Sequence, residues 1–503
     1  MSSKVFHQRP LIPLTPLKSF ITTGIQRIGL LFSCFLILNH GPSVAASQAL
    51  PDLGDSSEGL INQHQQEQLG REFMRDAQRR LPYIDDPDLM SYLNELGQRL
   101  VANSNAIHLK FRFYWVADNN LNAFAVPGGH ITVHTGLILA TENESELAGV
   151  LAHEIAHISQ RHLPRMLAQQ KQMSIPSMAA IIAGILLGGQ AGVAAIAATN
   201  AALIENQLRY SRAFETEADT ISVQTILRAG YDPNGIVGFF DKLYTGSRLQ
   251  QSKVPEFLRT HPLTLSRITS IKQRTAKIPP IQVKDNPDYR HIRAKIGALY
   301  VENATTAVNN YRQRIGVSDQ IDNADMYGYA LALSRAGRHP EAIRVLEDLL
   351  EKDNNRRYQI TLASIQSNAH DYQAANEILA PLYNQHPGDP TIRQYYSENL
   401  LVIGKAARAK PILRSLIQDF PEQALYYEKY ARATAELGEM GESHFHLATY
   451  FILKDELNQA LNHLYRARQQ NHISFYQQAS IDAKIAEIQQ EISLRANKKK
   501  KRR

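Results

Sequence analysis

"ELAGVLAHEIAHISQRH", residues 146–162, decides the reading of this chain, because it sets His153 and His157 four positions apart on a stretch with helical periodicity. Positions i and i+4 share one helix face about one turn apart, so the two imidazoles can reach a common ion. Imidazole nitrogen suits Zn²⁺, and a catalytic zinc takes three protein ligands and keeps one open position. Glu154 stands beside the first histidine, where a carboxylate can serve as general base. The helix carries its own start signals: Asn143 as N-cap, Glu144 and Glu146 in the first turn, and Leu147, Val150, Leu151, Ile155 and Ile158 as the apolar stripe. With 18 histidines in 503 residues such a short match can arise by chance, so the argument needs a third ligand.

A candidate follows in "YSRAFETEAD", residues 210–219, where Glu215 and Asp219 are again i and i+4 on a predicted helix that runs to Ala229 and stops at Gly230, with Pro233 beyond. A carboxylate from this helix would complete a set of two histidines and one acid, and Asp219 is placed to orient a ligand imidazole. The alternative for Glu215, Glu217 and Asp219 is an acidic, solvated face.

These segments, together with "NAFAVPGGHITVHTGLI" (122–138) and "THPLTLSRI" (260–268), resemble the HtpX and BepA group of gluzincin metallopeptidases. The resemblance spans roughly residues 60 to 275, and with a repeat region behind it the chain resembles the BepA-type periplasmic proteases. It implies His153 and His157 as zinc ligands, Glu154 as base, Glu215 as third ligand, Asp219 as supporting residue, and one Zn²⁺ per chain. Glu217 is not the ligand it implies, because the family's liganding glutamate stands four residues before the aspartate. It also implies outer-membrane β-barrel proteins, unfolded or misassembled, as substrates, and the barrel-assembly machinery as partner.

The first 46 residues differ from the rest. Lys4, Arg9, Lys18 and Arg27 precede the apolar run "IGLLFSCFLIL", and "GPSVAAS" offers small residues for cleavage, so residues 1–46 are expected to be a signal peptide directing the chain to the periplasm, with outer-membrane association as a further expectation. Eleven apolar residues are few for a bilayer span. Cys34, the one cysteine, lies inside that run; the mature chain needs no disulfide, and nucleophilic cysteine chemistry is excluded. Of the formal charge of +7, "KKKKRR" at 498–503 supplies six, a terminal run that reads as a solvated tail, or as a peripheral contact with anionic lipid, and not as a nucleic-acid surface.

The segment "KFRFYWVAD" (110–118) alternates like a strand, with Trp115 in the core. After the turn Pro127-Gly128-Gly129 comes "HITVHTGLI". An extended substrate beside a metal can be held by backbone hydrogen bonds to a strand edge; Gly129, His130, Ile131, Thr132 and Val133 are the candidates, with His130 and His134 expected to be exposed strand residues. Residues 174–204 are uncharged; Pro176, Gly188, Gly189 and Gln190 divide them, which favours a helical hairpin over a membrane span.

"AKIPPIQVKDNPDY" reads as a linker, which divides the chain into a zinc metalloprotease domain, 59–280, and a repeat domain with basic tail, 281–503. Ala375 and Ala409, Pro387 and Pro421, and Gly404 and Gly438 are each 34 residues apart, the tetratricopeptide period. Four units are predicted from about 323 to 455, with a flanking helix pair on each side and a capping helix near 478–496. The expected fold is mainly α: a gluzincin-type domain of active-site helices with a small β-sheet, then an α-solenoid whose concave surface binds proteins. The expected function is an exported zinc endopeptidase, chaperone-like besides, in outer-membrane protein assembly. The rival is a non-proteolytic, repeat-based chaperone or adaptor with a structural or silent zinc site. A structural site closes with four ligands, and His261 is the candidate fourth, or a regulatory ligand. Arg267 or a histidine is the expected oxyanion partner.

Overall fold

The computed structural model describes residues 62–168, 212–249, 255–279, 286–300, 303–317, 322–470 and 475–501, with Ile281 and Val283 between. The expected signal peptide, the apolar segment 174–204 and the side chains of the 498–503 tail lie outside the described residues. Helix α1 (Gln63–Arg80) starts at a reciprocal capping box between Asn62 and Gln65, and α2 (Pro87–Ala102) at Asp86, whose carboxylate accepts from the Asp88 and Leu89 amides. Strands β1 (Arg112–Val116), β2 (Ala123–Val126) and β3 (His130–His134) form one sheet in the order β1-β3-β2, with β1 parallel and β2 antiparallel to β3. Trp115 is fully buried and donates to the Leu89 carbonyl at 2.8 Å. At the β2–β3 turn Gly129 has φ 81°, and a Cβ there would sit 1.8 Å from the Lys110 carbonyl oxygen.

The strand order corrects one expectation. Strand β3 is the central strand, paired on both sides and buried along its whole length, so residues 129–133 cannot offer a free edge to an extended substrate. Its histidines are buried, not exposed: the Tyr114 hydroxyl lies 3.0 Å from His130 Nδ1, and His134 faces Asp118 at 3.6 Å. The edge strands of this sheet are β1 and β2. The His134 amide donates to the Asn122 carbonyl, so the antiparallel alternation turns the N–H and C=O of Ala123 and Ala125 away from β3.

Short α3 (Thr135–Ala140) leads into α4 (Glu144–Ser159), capped by the Asn143 side chain on the Glu146 amide at 3.0 Å. Helix α4 is buried from Glu144 to His157. It is followed by α5 (His162–Ala168), α6 (Arg212–Arg228), α7 (Asn234–Leu249), α8 (Glu256–Thr260) and α9 (Leu265–Thr275). Gly149 and Gly235 let α4 and α7 touch; a Cβ on Gly149 would lie 2.8 Å from that of Ile236.

Helices α10 (Pro287–Leu299) and α11 (Ala304–Val317) precede four helix pairs: α12 (Asn323–Arg335) and α13 (His339–Lys352), α14 (Arg356–Asn368) and α15 (Tyr372–Gln385), α16 (Pro390–Val402) and α17 (Ala406–Asp419), α18 (Ala424–Glu436) and α19 (Met440–Leu453). Helices α20 (Leu457–Arg468) and α21 (Phe475–Lys501) close the array. The turn inside three of the pairs is left-handed at Gly337, Gly404 and Gly438; His370 takes that conformation in the α14–α15 turn. The mainly helical fold, small sheet first and helical repeats after, is the one the sequence predicts.

The expected break near residue 280 precedes a helix that belongs to both cores. Tyr289, Ile292 and Ile296 of α10 pack in the peptidase-side core, while Ala294 and Ala298 pack with the first repeat. On the same helix Lys295 is buried, 2.8 Å from Asp86 and 3.3 Å from Asp88; Arg357 of α14 reaches Asp88 at 2.9 Å and Asp288 at 2.6 Å. Burial would raise the Asp88 carboxyl, but Lys295 and Arg357 outweigh it and hold it well below the usual range. Its contribution to stability is therefore present above the unfolded carboxyl's value of about 3.9 and declines as pH falls toward the folded one. Farther along, Arg112 of β1 makes a two-pronged bond to Glu422 at 2.7 Å, and Asp455 meets Arg79 and Arg495 at 2.8 Å. Lys295→Ala removes the buried cation from between the half-buried Asp86 and Asp88, and is expected to lower stability by about 3–5 kcal/mol, with Lys295→Met losing less because it fills the space. Chemical denaturation of the two variants checks the order.

Candidate metal centre

Two buried helices meet at the site. Helix α4 brings His153, Glu154 and His157, and α6 brings Glu215 and Asp219, all under 4 % exposed. His153 Nε2 and His157 Nε2 lie 3.0 Å apart, and each is 3.5 Å from a Glu215 carboxylate oxygen. The loop after α8 adds His261, whose Nδ1 is 3.1 Å from Glu215 Oε1 and whose Nε2 is 3.5 Å from Glu154 Oε1. Ligand atoms of His153, His157, Glu215 and His261 all fall within 4.8 Å of one another. Nitrogen and carboxylate donors at this spacing suit a divalent metal such as zinc. The fit is supported by Glu154, both of whose carboxylate oxygens are buried without a hydrogen-bond partner among the described residues.

The electrostatics sort the carboxylates. Burial pushes Glu154 up, with the imidazoles of His261 and His153 and, more weakly, the nearby Ala125 amide of β2 working against it. For Glu215 and Asp219 burial acts the same way but loses to their cationic neighbours, so both stay below the usual range. Burial likewise lowers His153, yet Asp219 and Glu215 carry it to about 9, and burial together with His153 holds His157 well down. The site thus keeps two anionic carboxylates for cations and one more basic carboxylate beside them.

Asp219 stands behind His153, its Oδ1 3.2 Å from His153 Nδ1, close but poorly aligned for a hydrogen bond. Arg267, expected as an oxyanion partner, is instead bound to the acids: its Nε and Nη2 donate to the two Asp219 oxygens at 2.8 and 2.7 Å, and Nη1 reaches Glu215 Oε2 at 2.7 Å and the Pro262 carbonyl at 2.9 Å. Every one of its nitrogens is engaged, so it fixes the acids. His162 was not singled out from the sequence. It is fully buried against His157, and its signal was a third histidine nine residues after the first. His130 and Thr132 of β3 are not among the grouped ligand residues.

The family model for peptidase family M48 matches residues 87–275, and a tetratricopeptide repeat model matches residues 368–433. The beta-barrel assembly-enhancing protease of Escherichia coli (strain K12) is 30% identical over 479 residues, covering 92% of this chain and 96% of that protein. The protein of the same name from Yersinia pestis is 31% identical over 452 residues, 88% of this chain and 92% of its own length. Metalloprotease YcaL of Escherichia coli (strain K12) is 29% identical over 188 residues, 37% of this chain and 69% of that protein. Because Glu215 touches both histidines, Glu215→Ala is expected to remove most of the bound metal, as read by elemental analysis of the purified protein; full metal content would take Glu215 out of the ligand set.

Proposed function

The chain belongs to peptidase family M48, together with the beta-barrel assembly-enhancing proteases, and from that premise we propose an exported, zinc-dependent endopeptidase that acts in outer-membrane protein quality control. The observation that carries the chemistry is the close group of His153, His157 and Glu215 with the buried, unbonded Glu154 carboxylate at its side. When bound, the zinc supplies Lewis-acid polarisation of the scissile carbonyl and of water. Glu154 takes a proton from the attacking water and delivers it to the leaving amine, a role that its burial-raised basicity favours. Asp219 and Arg267 hold His153 and Glu215 in place. Strand β2, buried from Ala123 to Val126, lies beside Glu154, toward which the Ala125 amide is turned; a substrate backbone reaching the site meets the N–H and C=O of Ala123, which β3 leaves unpaired.

His261 is the regulatory element of this reading. Its imidazole touches both Glu154 and Glu215, and it can serve as a fourth ligand that holds the peptidase off until its loop moves. The same four donors support the rival, a closed structural site in a chaperone or adaptor. The two readings part on His261→Ala: a latch gives more basal proteolysis and self-cleavage with zinc retained, whereas a structural fourth ligand gives zinc loss without proteolysis.

The repeats are the client- and partner-binding part, with misassembled outer-membrane proteins as clients and the barrel-assembly machinery as partner. The N-terminal segment 1–46 supports export to the periplasm, and peripheral contact with the outer membrane goes with the basic tail. Among the described residues no helix is long and apolar enough to cross a membrane. The division into a peptidase domain, 59–280, and a repeat domain, 281–503, is kept, but a peptidase fragment must extend through Leu299 to retain Tyr289, Ile292 and Ile296 in its core. Glu154→Gln keeps shape and ligands but cannot accept the proton, so it is expected to retain zinc and lose casein cleavage by a factor of about 10² or more. Near-normal turnover would remove Glu154 from the mechanism.

A further inference from the structure

Beside the acid that stands behind His153, a second device stands behind His157. We infer that His162 and Glu217 form a positioning relay that fixes the ring of His157 and the nitrogen it turns to the metal. The inference rests on the reading of His153, His157 and Glu215 as metal ligands. After α4 the chain reverses at Arg161, a non-glycine residue with φ 53°, and α5 begins at once with His162. That reversal folds His162 back under the helix it has just left. Its Nδ1 lies 2.8 Å from His157 Nδ1, and its Nε2 lies 3.1 Å from Glu217 Oε2. The ring is fully buried and stacked on Phe214, centroids 4.6 Å apart and planes 15° apart. Arg165 covers the Phe214 ring at 4.7 Å and also reaches Glu217 Oε2, at 3.2 Å.

The geometry allows one direction of donation. His157 Nε2 faces His153 Nε2 and Glu215, so it is the metal-side nitrogen and the proton of the neutral ring sits on Nδ1. Nδ1 then donates to His162 Nδ1, which must accept and therefore carries its own proton on Nε2. That proton goes to Glu217, a carboxylate that needs a donor. Reversing either ring would aim two lone pairs or two protons at each other at 2.8 Å. Glu217 thus has a use distinct from its neighbours on α6: Glu215 faces the metal group, Asp219 backs His153, and Glu217 backs His157 through an intervening imidazole. Partners of this kind set ring orientation and ligand basicity, and their loss costs metal affinity roughly 10- to 100-fold.

The test is zinc affinity, measured on the full chain by competition with a chromophoric chelator, together with thermal unfolding of the metal-free protein. His162→Phe keeps the stacking and removes both hydrogen bonds; Glu217→Leu removes the terminal acceptor; His162→Asn restores an acceptor near the Nδ1 position. The relay predicts zinc binding weakened about 10- to 100-fold in His162→Phe and in Glu217→Leu, substantial recovery in His162→Asn, and metal-free unfolding close to wild type. Affinity within twofold of wild type in both disrupted variants overturns it. So does loss of affinity that tracks a fall in metal-free unfolding temperature and is not recovered by asparagine, because that is packing alone. If His162→Phe does not fold, Glu217→Leu and His162→Asn decide by the same measurements. Glu215→Ala run in parallel separates the two levels: wild-type zinc binding there sinks the ligand assignment, whereas zinc loss there beside unchanged binding in the relay variants sinks only the relay.

Discussion

Two helices, 144–159 and 212–228, press a set of imidazoles and carboxylates against each other, each under 4 % exposed, and that burial is the constraint on which the site depends. Charged groups are tolerated there only when each has a partner. Arg267 supplies the cation for Glu215 and Asp219 together, which explains why a residue from the C-terminal end of the peptidase segment is buried at its centre. Among the described residues both oxygens of Glu154 are buried without a hydrogen-bond partner, while Glu215 and Asp219 are ion-paired to Arg267.

The parts legible in the sequence were those that one helix or one repeat encodes by itself. The His153–His157 spacing, the Asn143 cap and the 34-residue period all depend on residues a few positions apart, and they reappear where expected. Glu215 required the order of two motifs plus family resemblance, because nothing local separates it from Glu217. Strand order was not legible. Alternation marks residues 130–134 as a strand but does not say that it lies between two others, β1 and β2, which are the edges of the sheet. His130 and His134 looked exposed for the same reason. The roles of His162 and Arg267 arise from contacts across 55 and 48 positions, to Glu217 and Asp219, which no window of sequence contains.

The array is more than an appendage in packing terms. Helix 287–299 gives one face to the peptidase-side core and the other to the first repeat, and the buried Lys295 fastens that helix to the start of helix 87–102. Two further ion-paired contacts, Arg112 with Glu422 and Asp455 with Arg79, tie later repeats to the sheet and to the first helix. Such exposed pairs contribute little each, but their placement along the array sets how the repeats lie against the peptidase part.

The central claim is that one zinc, held by His153, His157 and Glu215, is what makes the chain a peptidase. The most direct measurement strips the full-length protein of metal with a chelator, returns zinc in steps, and follows both bound zinc and cleavage of an unstructured polypeptide. The account predicts no cleavage without metal and activity that rises with bound zinc and saturates at one ion per chain. Cleavage by the metal-free protein, or zinc bound to saturation without any cleavage, would contradict it.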